Sequence, residues 1–164
     1  MWLKMITVVV AVVMMSVSVD SSQTLVKDMT KNFLKAYEAC QKELSLQEST
    51  AKELMYFWKE DYEGTNREAG CAILCLSKKM DIIDPEGKLH KGKTNDFLKQ
   101  HGSDDETAAK VMDILHNCEA NVAHTDDECL GAMDVAMCFK KEMHSLNWAP
   151  DPEVMLQELM SEMQ

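Results

Sequence analysis

Apolar residues recur every three or four positions through most of the chain, and polar residues fill the positions between them. Leu54, Phe57 and Trp58 share one face of a helix at this spacing, and the segment from Ala108 to Cys118 repeats the pattern. Such a period is that of an amphipathic helix, whereas a half-buried strand would alternate polar and apolar positions. The pattern predicts an all-α fold.

Helix boundaries are marked by capping sequences and by turn residues. The pattern Ser/Thr-x-x-Glu, in which both side chains satisfy free backbone N–H groups, occurs at residues 45–48, 103–106 and 125–128. We therefore expect helices to begin there. Breaks are expected at Asp84–Gly87, at His101–Gly102, and at Asn147–Pro152, where two prolines cannot continue a helix.

The first 21 residues have the composition of a secretory signal peptide. Lys4 precedes an apolar run from Met5 to Val13, and small and polar residues follow. A membrane anchor is the alternative, but a span needs about 20 apolar residues and this run is shorter. We expect a signal peptide at residues 1–21 and one domain at residues 22–164, whose residues 149–164 form a mobile C-terminal segment.

Charge and motifs exclude several functions. The net charge of −11 opposes binding to nucleic acid or to anionic lipid. Neither Gly-x-Ser-x-Gly nor His-Glu-x-x-His occurs, and the five histidines are scattered. The sequence predicts no enzyme, no cofactor and no metal.

The six cysteines indicate a disulfide framework in a secreted chain. Cys71 and Cys75 lie four residues apart, where a metal site, a redox pair, two free thiols or the ends of separate disulfides are conceivable. Zinc sites usually contain two close pairs, redox motifs contain Cys-x-x-Cys, and neither occurs here. Residues i and i+4 share a helix face and are poorly placed to bond each other. We expect three disulfides, with Cys71 and Cys75 each bonded to a different helix.

The residues that suggest binding are apolar or aromatic. The chain has 14 methionines, which line flexible apolar surfaces as well as ordinary cores. Ligand pockets combine an apolar lining with few hydrogen-bonding groups, and Ser77 follows Cys75 closely enough to supply one. The candidate aromatic contacts are Phe33, Phe57, Trp58, Phe97 and Phe139.

The C-terminal segment from residue 153 to 164 is predicted to form an amphipathic helix. Leu156, Leu159, Met160 and Met163 share one face, opposite Glu158 and Glu162. Burial of this helix is penalised while its carboxylates are charged and less so once they are protonated.

Two stretches and the cysteine spacing resemble those of the moth pheromone-binding proteins, a group of insect odorant-binding proteins. The stretches are FWKEDYEGTNREAGCAILCLSKKMDIIDPEGKLH and CFKKEMHSLNWAP, and the cysteine gaps are x30, x3, x42, x10 and x8. The resemblance covers essentially the whole chain after the signal peptide.

This resemblance implies a six-helix, disulfide-stapled domain around an apolar pocket, with a C-terminal segment beyond it. It implies pairing of Cys40 with Cys75, Cys71 with Cys129, and Cys118 with Cys138. Ser77 would bond the polar end of the ligand, and Phe33 and Phe139 would sandwich its chain. The implied ligand-binding set is Phe33, Phe57, Trp58, Ile73, Ser77, Phe97, Leu115, Val135 and Phe139.

The resemblance also implies release of ligand at low pH. Histidines at a loop lid, matched by His90 and His116, take up protons while the C-terminal segment enters the pocket. The switch set expected here is His90, His116, Asp84, Glu158 and Glu162. Lys91 replaces a second lid histidine common in the family, which affects the steepness of the switch.

The function implied is secreted transport of long-chain alcohols, acetates or aldehydes through sensillum lymph to olfactory receptors. The alternatives are a general odorant-binding protein for plant volatiles and a helical extracellular signalling protein that carries nothing. The expected partners are a small hydrophobic volatile ligand and the membrane or receptor of the olfactory neuron. Nucleic acid is not an expected partner, and a homodimer stays open.

Overall fold

The structure is a computed structural model. It describes residues 32–122 and 125–162, apart from the side chains of Met155, Leu156, Glu158, Leu159 and Glu162. The proposed signal peptide and Met163 lie outside the described residues.

The described part of the chain is helical, as the apolar period predicts. Its one extended pairing is an isolated bridge between Ile83 and Leu89. The helices are α1 (residues 32–44 of the described range), α2 (Glu48–Tyr56), α3 (Arg67–Lys79), α4 (Lys91–Gln100), α5 (Asp105–Asn121), α6 (Glu128–Ser145) and α7 (Pro152–Glu162). The all-α prediction is confirmed, with six helices preceding the C-terminal helix α7.

Helices begin where the capping sequences indicated, but other residues make the caps. Asp104 caps α5 through a carboxylate that accepts the Thr107 N–H, and Asp127 caps α6 by accepting the N–H groups of Cys129 and Leu130. α2 begins after Gln47, whose side chain makes no cap hydrogen bond. Ser45 has a positive φ of 53° and is not a cap. The first residue of each pattern is therefore not the N-cap, because the chain enters each helix one or two residues later.

Three disulfides fix four of the helices to one another, and α3 and α6 each take part in two of them. Cys40–Cys75 joins α1 to α3, Cys71–Cys129 joins α3 to α6, and Cys118–Cys138 joins α5 to α6. This is the pairing that the family resemblance implies. A bridge of this kind contributes about 2–4 kcal/mol, mainly by restricting the unfolded chain.

α3 and α6 pack at unusually close range. A Cβ atom at Gly70 would overlap the carbonyl oxygen of Cys129, so only glycine permits this approach. The Cα atoms of Cys71 and Cys129 are 4.4 Å apart. Because Gly70 has no side chain, the backbones of α3 and α6 come close enough for the side chains of Cys71 and Cys129 to form their disulfide.

Six of the buried apolar residues form two clusters, each of which includes residues of α3. The α1-side cluster contains Cys40, Cys75 and Leu76, and Phe33, Tyr37 and Leu54 pack against it. The α6-side cluster contains Phe57, Ala69 and Met133, with Trp58, Tyr62, Ile73 and Met137 around it. α7 packs against α2. Among the described residues, none of the helices is both long and apolar enough to cross a membrane.

Candidate functional site

An aromatic group at the end of α2 faces α6. Phe57 is buried, and its ring meets that of Trp58 edge-on with centroids 5.3 Å apart. The Trp58 ring meets that of Phe139 with centroids 6.2 Å apart. Edge-to-face contacts of this kind are favourable beyond the area they bury. Three of the predicted aromatic contacts are thus brought together, and Ile73 of α3 adjoins them in the α6-side cluster.

Ser77 lies in the last turn of α3, shortly before a loop of residues 81–90 that is called the 81–90 loop below. The Ser77 side chain is half-buried. The preceding residue, Leu76, belongs to the α1-side cluster, against which Phe33 packs. The Ser77 carbonyl accepts the N–H groups of Ile82 and Ile83 at 2.9 and 3.4 Å. The position of Ser77 is therefore tied to the position of this loop.

The other predicted contacts lie outside both clusters. Phe97 packs against the ring of His101 on its own helix, with centroids 4.2 Å apart. Leu115 on α5 and Val135 on α6 are half-buried. The ligand-binding role of all nine residues remains a prediction.

A surface cleft of about 560 Å³ opens on the other side of α3. Cys71, Leu74, Cys75 and Lys78 line it at the spacing of one helix face, whereas Ile73 and Ser77 point to the opposite face. None of the nine predicted ligand contacts lines this cleft. Two members of the expected pH switch, Asp84 and His90, do line it.

The 81–90 loop is held by side chains from α4 and α5. Buried Thr94 donates its hydroxyl to the carbonyls of Ile82 and His90, at 3.0 and 2.9 Å. Glu119 of α5 accepts the Leu89 N–H at 2.8 Å. The expected turn at Asp84–Gly87 is present, with the Gly87 N–H donated to the Asp84 carbonyl. Sequence reasoning missed Thr94 and Glu119, since neither a threonine nor a glutamate on a helix signals a loop anchor.

The two histidines of the expected switch both lie near the C-terminal end of this loop. His90 is the N-cap of α4, and its Nδ1 accepts the Lys93 N–H at 3.3 Å. His116 lies on α5 with its Nδ1 3.8 Å from an oxygen of Glu119, the residue that holds Leu89. Lys91 is the exposed first residue of α4. Glu158 and Glu162 lie on α7, and their side chains are outside the described set.

Two polar contacts position the aromatic group from α6. Lys140 is only 4% exposed and donates to the Tyr62 carbonyl at 3.0 Å. Burial lowers the pKa of this lysine, while Asp61 and Glu60 oppose the shift. A ring nitrogen of His144 lies 2.8 Å from the Trp58 carbonyl. A lysine in an amphipathic helix is ordinarily an exposed residue, so the sequence contained no signal for this one.

Within the described residues, no group of three or more His, Cys, Asp or Glu side chains is arranged to hold a metal ion. Among these residues the cysteines are all disulfide-bonded.

Comparison with known proteins agrees with this arrangement. Residues 22–142 match the PBP/GOBP family. The chain is 45% identical to pheromone-binding protein 2 of Epiphyas postvittana over 94% of its length and 95% of that protein. It is 33% identical to general odorant-binding protein 2 of Manduca sexta, over 87% and 88% of the two chains. The crystal structure of Epiphyas postvittana pheromone-binding protein 3 superposes with a TM-score of 0.65 at 48% identity, covering 71% of this chain and 99% of that one.

The fold and these matches define a class of helical carriers of pheromones and odorants, which are not enzymes. The chain belongs to the PBP/GOBP family. Its identification as a non-enzymatic binding protein is thereby confirmed, and the reading as a signalling protein that carries nothing is set aside.

Proposed function

We propose that the protein is a secreted carrier of hydrophobic pheromone-like ligands, namely long-chain alcohols, acetates and aldehydes. It would lose residues 1–21 on secretion and take its ligand through sensillum lymph to olfactory receptors. The observation that supports this most strongly is the contact of Phe57, Trp58 and Phe139 in a chain so similar to a pheromone-binding protein along its whole length. Apolar linings with few polar groups suit ligands of this class.

The ligand is proposed to lie against α3 on the side of Ile73 and Ser77. Phe33, Phe57, Trp58 and Phe139 would contact its hydrocarbon chain, and the Ser77 hydroxyl would bond its oxygen. Phe97, Leu115 and Val135 would complete the lining from α4, α5 and α6.

Release in acid is proposed to begin at the anchors of the 81–90 loop. A protonated His90 cannot accept the Lys93 N–H, and its charge is unfavourable at the N-terminus of α4. A protonated His116 attracts one oxygen of the Glu119 carboxylate, whose other oxygen accepts the Leu89 N–H, and so pulls on the group that anchors the loop. Both changes weaken the loop once the two histidines are protonated.

Other charges face His90 from every side of the cleft. Glu43 pairs with Lys79, and Asp81 pairs with Lys93, each at 2.8 Å. Lys78 and Asp84 also line the cleft. The acidic and basic partners largely balance, so the loss of the helix cap is the larger effect of protonating His90.

Displacement of a fluorescent apolar probe tests the carrier function. At neutral pH, alcohols, acetates and aldehydes of matched chain length should displace the probe from the disulfide-bonded protein at micromolar or lower concentration. The same titration at pH 5 should show weaker binding. Failure of the probe and of the whole panel to bind at neutral pH would contradict the proposal.

A general odorant-binding protein for plant volatiles is the second candidate, favoured by the match to the Manduca sexta protein. Short, branched or aromatic plant odorants in the same panel would distinguish the two. A preference for them over long-chain acetates would favour the second candidate. Mass measurement of the ligand-free and ligand-bound protein in solution would show whether a homodimer forms.

A further inference from the structure

Two hydroxyl groups are buried without a hydrogen-bond partner among the described residues. They are the phenol oxygen of Tyr37 on α1 and Oγ1 of Thr50 on α2. Thr50 is 0% exposed, and Tyr37 packs against the α1-side cluster. About nine buried polar groups in ten are hydrogen-bonded, so two such hydroxyls in one region need an explanation.

The local fold explains why Thr50 has no internal partner. A threonine deeper in a helix can bond the carbonyl four residues earlier. Thr50 is the third residue of α2, and the residue four positions earlier is Leu46, which precedes the N-cap Gln47. The Gln47 carbonyl already accepts the backbone N–H of Thr50 at 3.1 Å. Its hydroxyl is therefore left free to bond a group from outside α2.

Both hydroxyls lie at the junction of α1, α2 and α3. Leu54 follows Thr50 by one turn on the same face of α2 and packs against the α1-side cluster, as Tyr37 does. The Cys40–Cys75 bridge joins α1 to α3 about one turn after Tyr37, and the charge of Glu68 on the first turn of α3 acts on the Tyr37 phenol.

Glu68 places a negative charge at this junction. The residue belongs to the first turn of α3 and accepts the Gln47 N–H at 2.9 Å. Burial first, and then the charge of Glu68, raise the pKa of Tyr37. The phenol is accordingly protonated at neutral pH and donates a hydrogen bond, while Glu68 repels an anionic ligand.

We propose that the Tyr37 and Thr50 hydroxyls form a second polar subsite, which donates hydrogen bonds to the carbonyl oxygen of a neutral ester or aldehyde. The subsite rests on the proposed carrier function and specifies its ligand class. The subsite would give a long-chain ligand a polar contact in addition to Ser77.

Removal of each hydroxyl with its shape retained tests the subsite. Tyr37→Phe and Thr50→Val should each weaken tetradecyl acetate about 2- to 12-fold, the range for loss of one neutral hydrogen bond. Tetradecane should bind unchanged. Tyr56→Phe is the matched control, because Tyr56 is 46% exposed and its ring carries Lys59 on the surface. Tetradecanoate, the anionic analogue, should bind wild-type protein more weakly than the acetate at neutral pH.

Other results would overturn the subsite without touching the carrier function. Unchanged acetate binding together with a higher melting temperature would mean that the hydroxyls are simply unsatisfied in the folded protein. Equal losses for acetate and tetradecane would mean that the two side chains only pack. Should Thr50→Val fail to fold, Thr50→Ser and Thr50→Ala decide the matter, since only the serine retains a donor. Wild-type binding of the fluorescent probe reports separately on the carrier function.

Discussion

Ser77 connects the proposed ligand contact to the proposed lid. Its side chain is half-buried, and its carbonyl accepts the N–H groups of Ile82 and Ile83 at the start of the 81–90 loop. A change at this position can therefore act on the ligand or on the loop. Only a substitution that removes the hydroxyl and leaves the backbone intact separates the two.

Ser77→Ala should weaken alcohols and acetates by about 0.5–1.5 kcal/mol, the net contribution of one neutral hydrogen bond. The hydrocarbon of the same length should lose little, because it makes no hydrogen bond. Probe displacement at neutral pH measures both. Ser49→Ala, at an exposed position on α2, is the control. Equal losses for oxygenated and plain ligands would show that Ser77 contributes only to packing.

At the level of the helices, two N-cap carboxylates have pKa values that the fold lowers. Backbone and side-chain hydrogen bonds from Thr107 lower the pKa of Asp104. The hydrogen bond from Arg67, followed by that from the Leu130 N–H, lowers the pKa of Asp127. A carboxylate with a lowered native pKa stabilises the fold fully above its unfolded pKa of about 3.9. The contribution is lost as the pH falls from there through the native pKa.

Asp104→Asn combined with Asp127→Asn should therefore flatten the acid side of the stability curve. Asparagine retains a cap acceptor but no charge. The difference in melting temperature from wild type should be constant at neutral pH and shrink below about pH 4. Asp113→Asn, exposed on α5, should leave the curve unchanged. A wild-type curve that is already flat below pH 4 would contradict the role of these caps. Because this window lies below pH 5, ligand release would precede acid unfolding.

His90 makes the cap of α4 sensitive to pH in a different range. His90→Asn should preserve the acceptor for the Lys93 N–H, and hence neutral-pH binding, but cannot take up a proton. The ratio of ligand affinities at pH 7 and pH 5 should fall toward one. His101→Asn at the opposite end of α4 is the comparison, since a charge there suits the helix dipole. Because the His101 ring packs against Phe97, each variant is compared with its own affinity at pH 7. If His90→Asn released ligand in acid as fully as wild type, the α4 cap would not be part of the switch.

The whole molecule combines a stapled helical frame with a C-terminal helix that is attached by one face. α1, α3, α5 and α6 are cross-linked by disulfides. α7 lies against α2, with Val154 and Met160 56% and 51% exposed. This contact leaves apolar surface of α7 uncovered, and the proposed competition of α7 with the ligand would bury it.

Deletion of residues 153–164 should leave neutral-pH binding largely intact and remove much of the loss of affinity between about pH 7 and 5. The expected reason is that the truncated chain lacks the helix that competes with the ligand. Probe displacement across this pH range, on protein whose disulfides are intact, is the measurement. A truncated protein that loses affinity as steeply as the full chain would place release in the 81–90 loop alone.

The sequence by itself determined that the chain is helical and where helices are interrupted. Helical periodicity, the turn at Asp84–Gly87 and the prolines at 150 and 152 are local properties, so they could be read without knowledge of neighbours. The i, i+4 spacing of Cys71 and Cys75 likewise required separate partners, because a regular helix holds the two side chains apart. The predicted N-caps lie one or two positions before the observed ones. Several polar residues precede each helix, and which of them caps it depends on the path by which the chain enters the helix.

Only the tertiary structure decided which side chains meet across elements. Glu119 reaches the Leu89 N–H over 30 residues, and Lys140 reaches the Tyr62 carbonyl over 78. Thr50 and Lys140 are buried although polar residues of amphipathic helices usually lie at the surface, because burial depends on what packs against a helix face. The close approach of α3 and α6 at Gly70 and the cleft opposite Ser77 also follow from helix packing. These contacts join residues distant in sequence, and no local period or spacing encodes them.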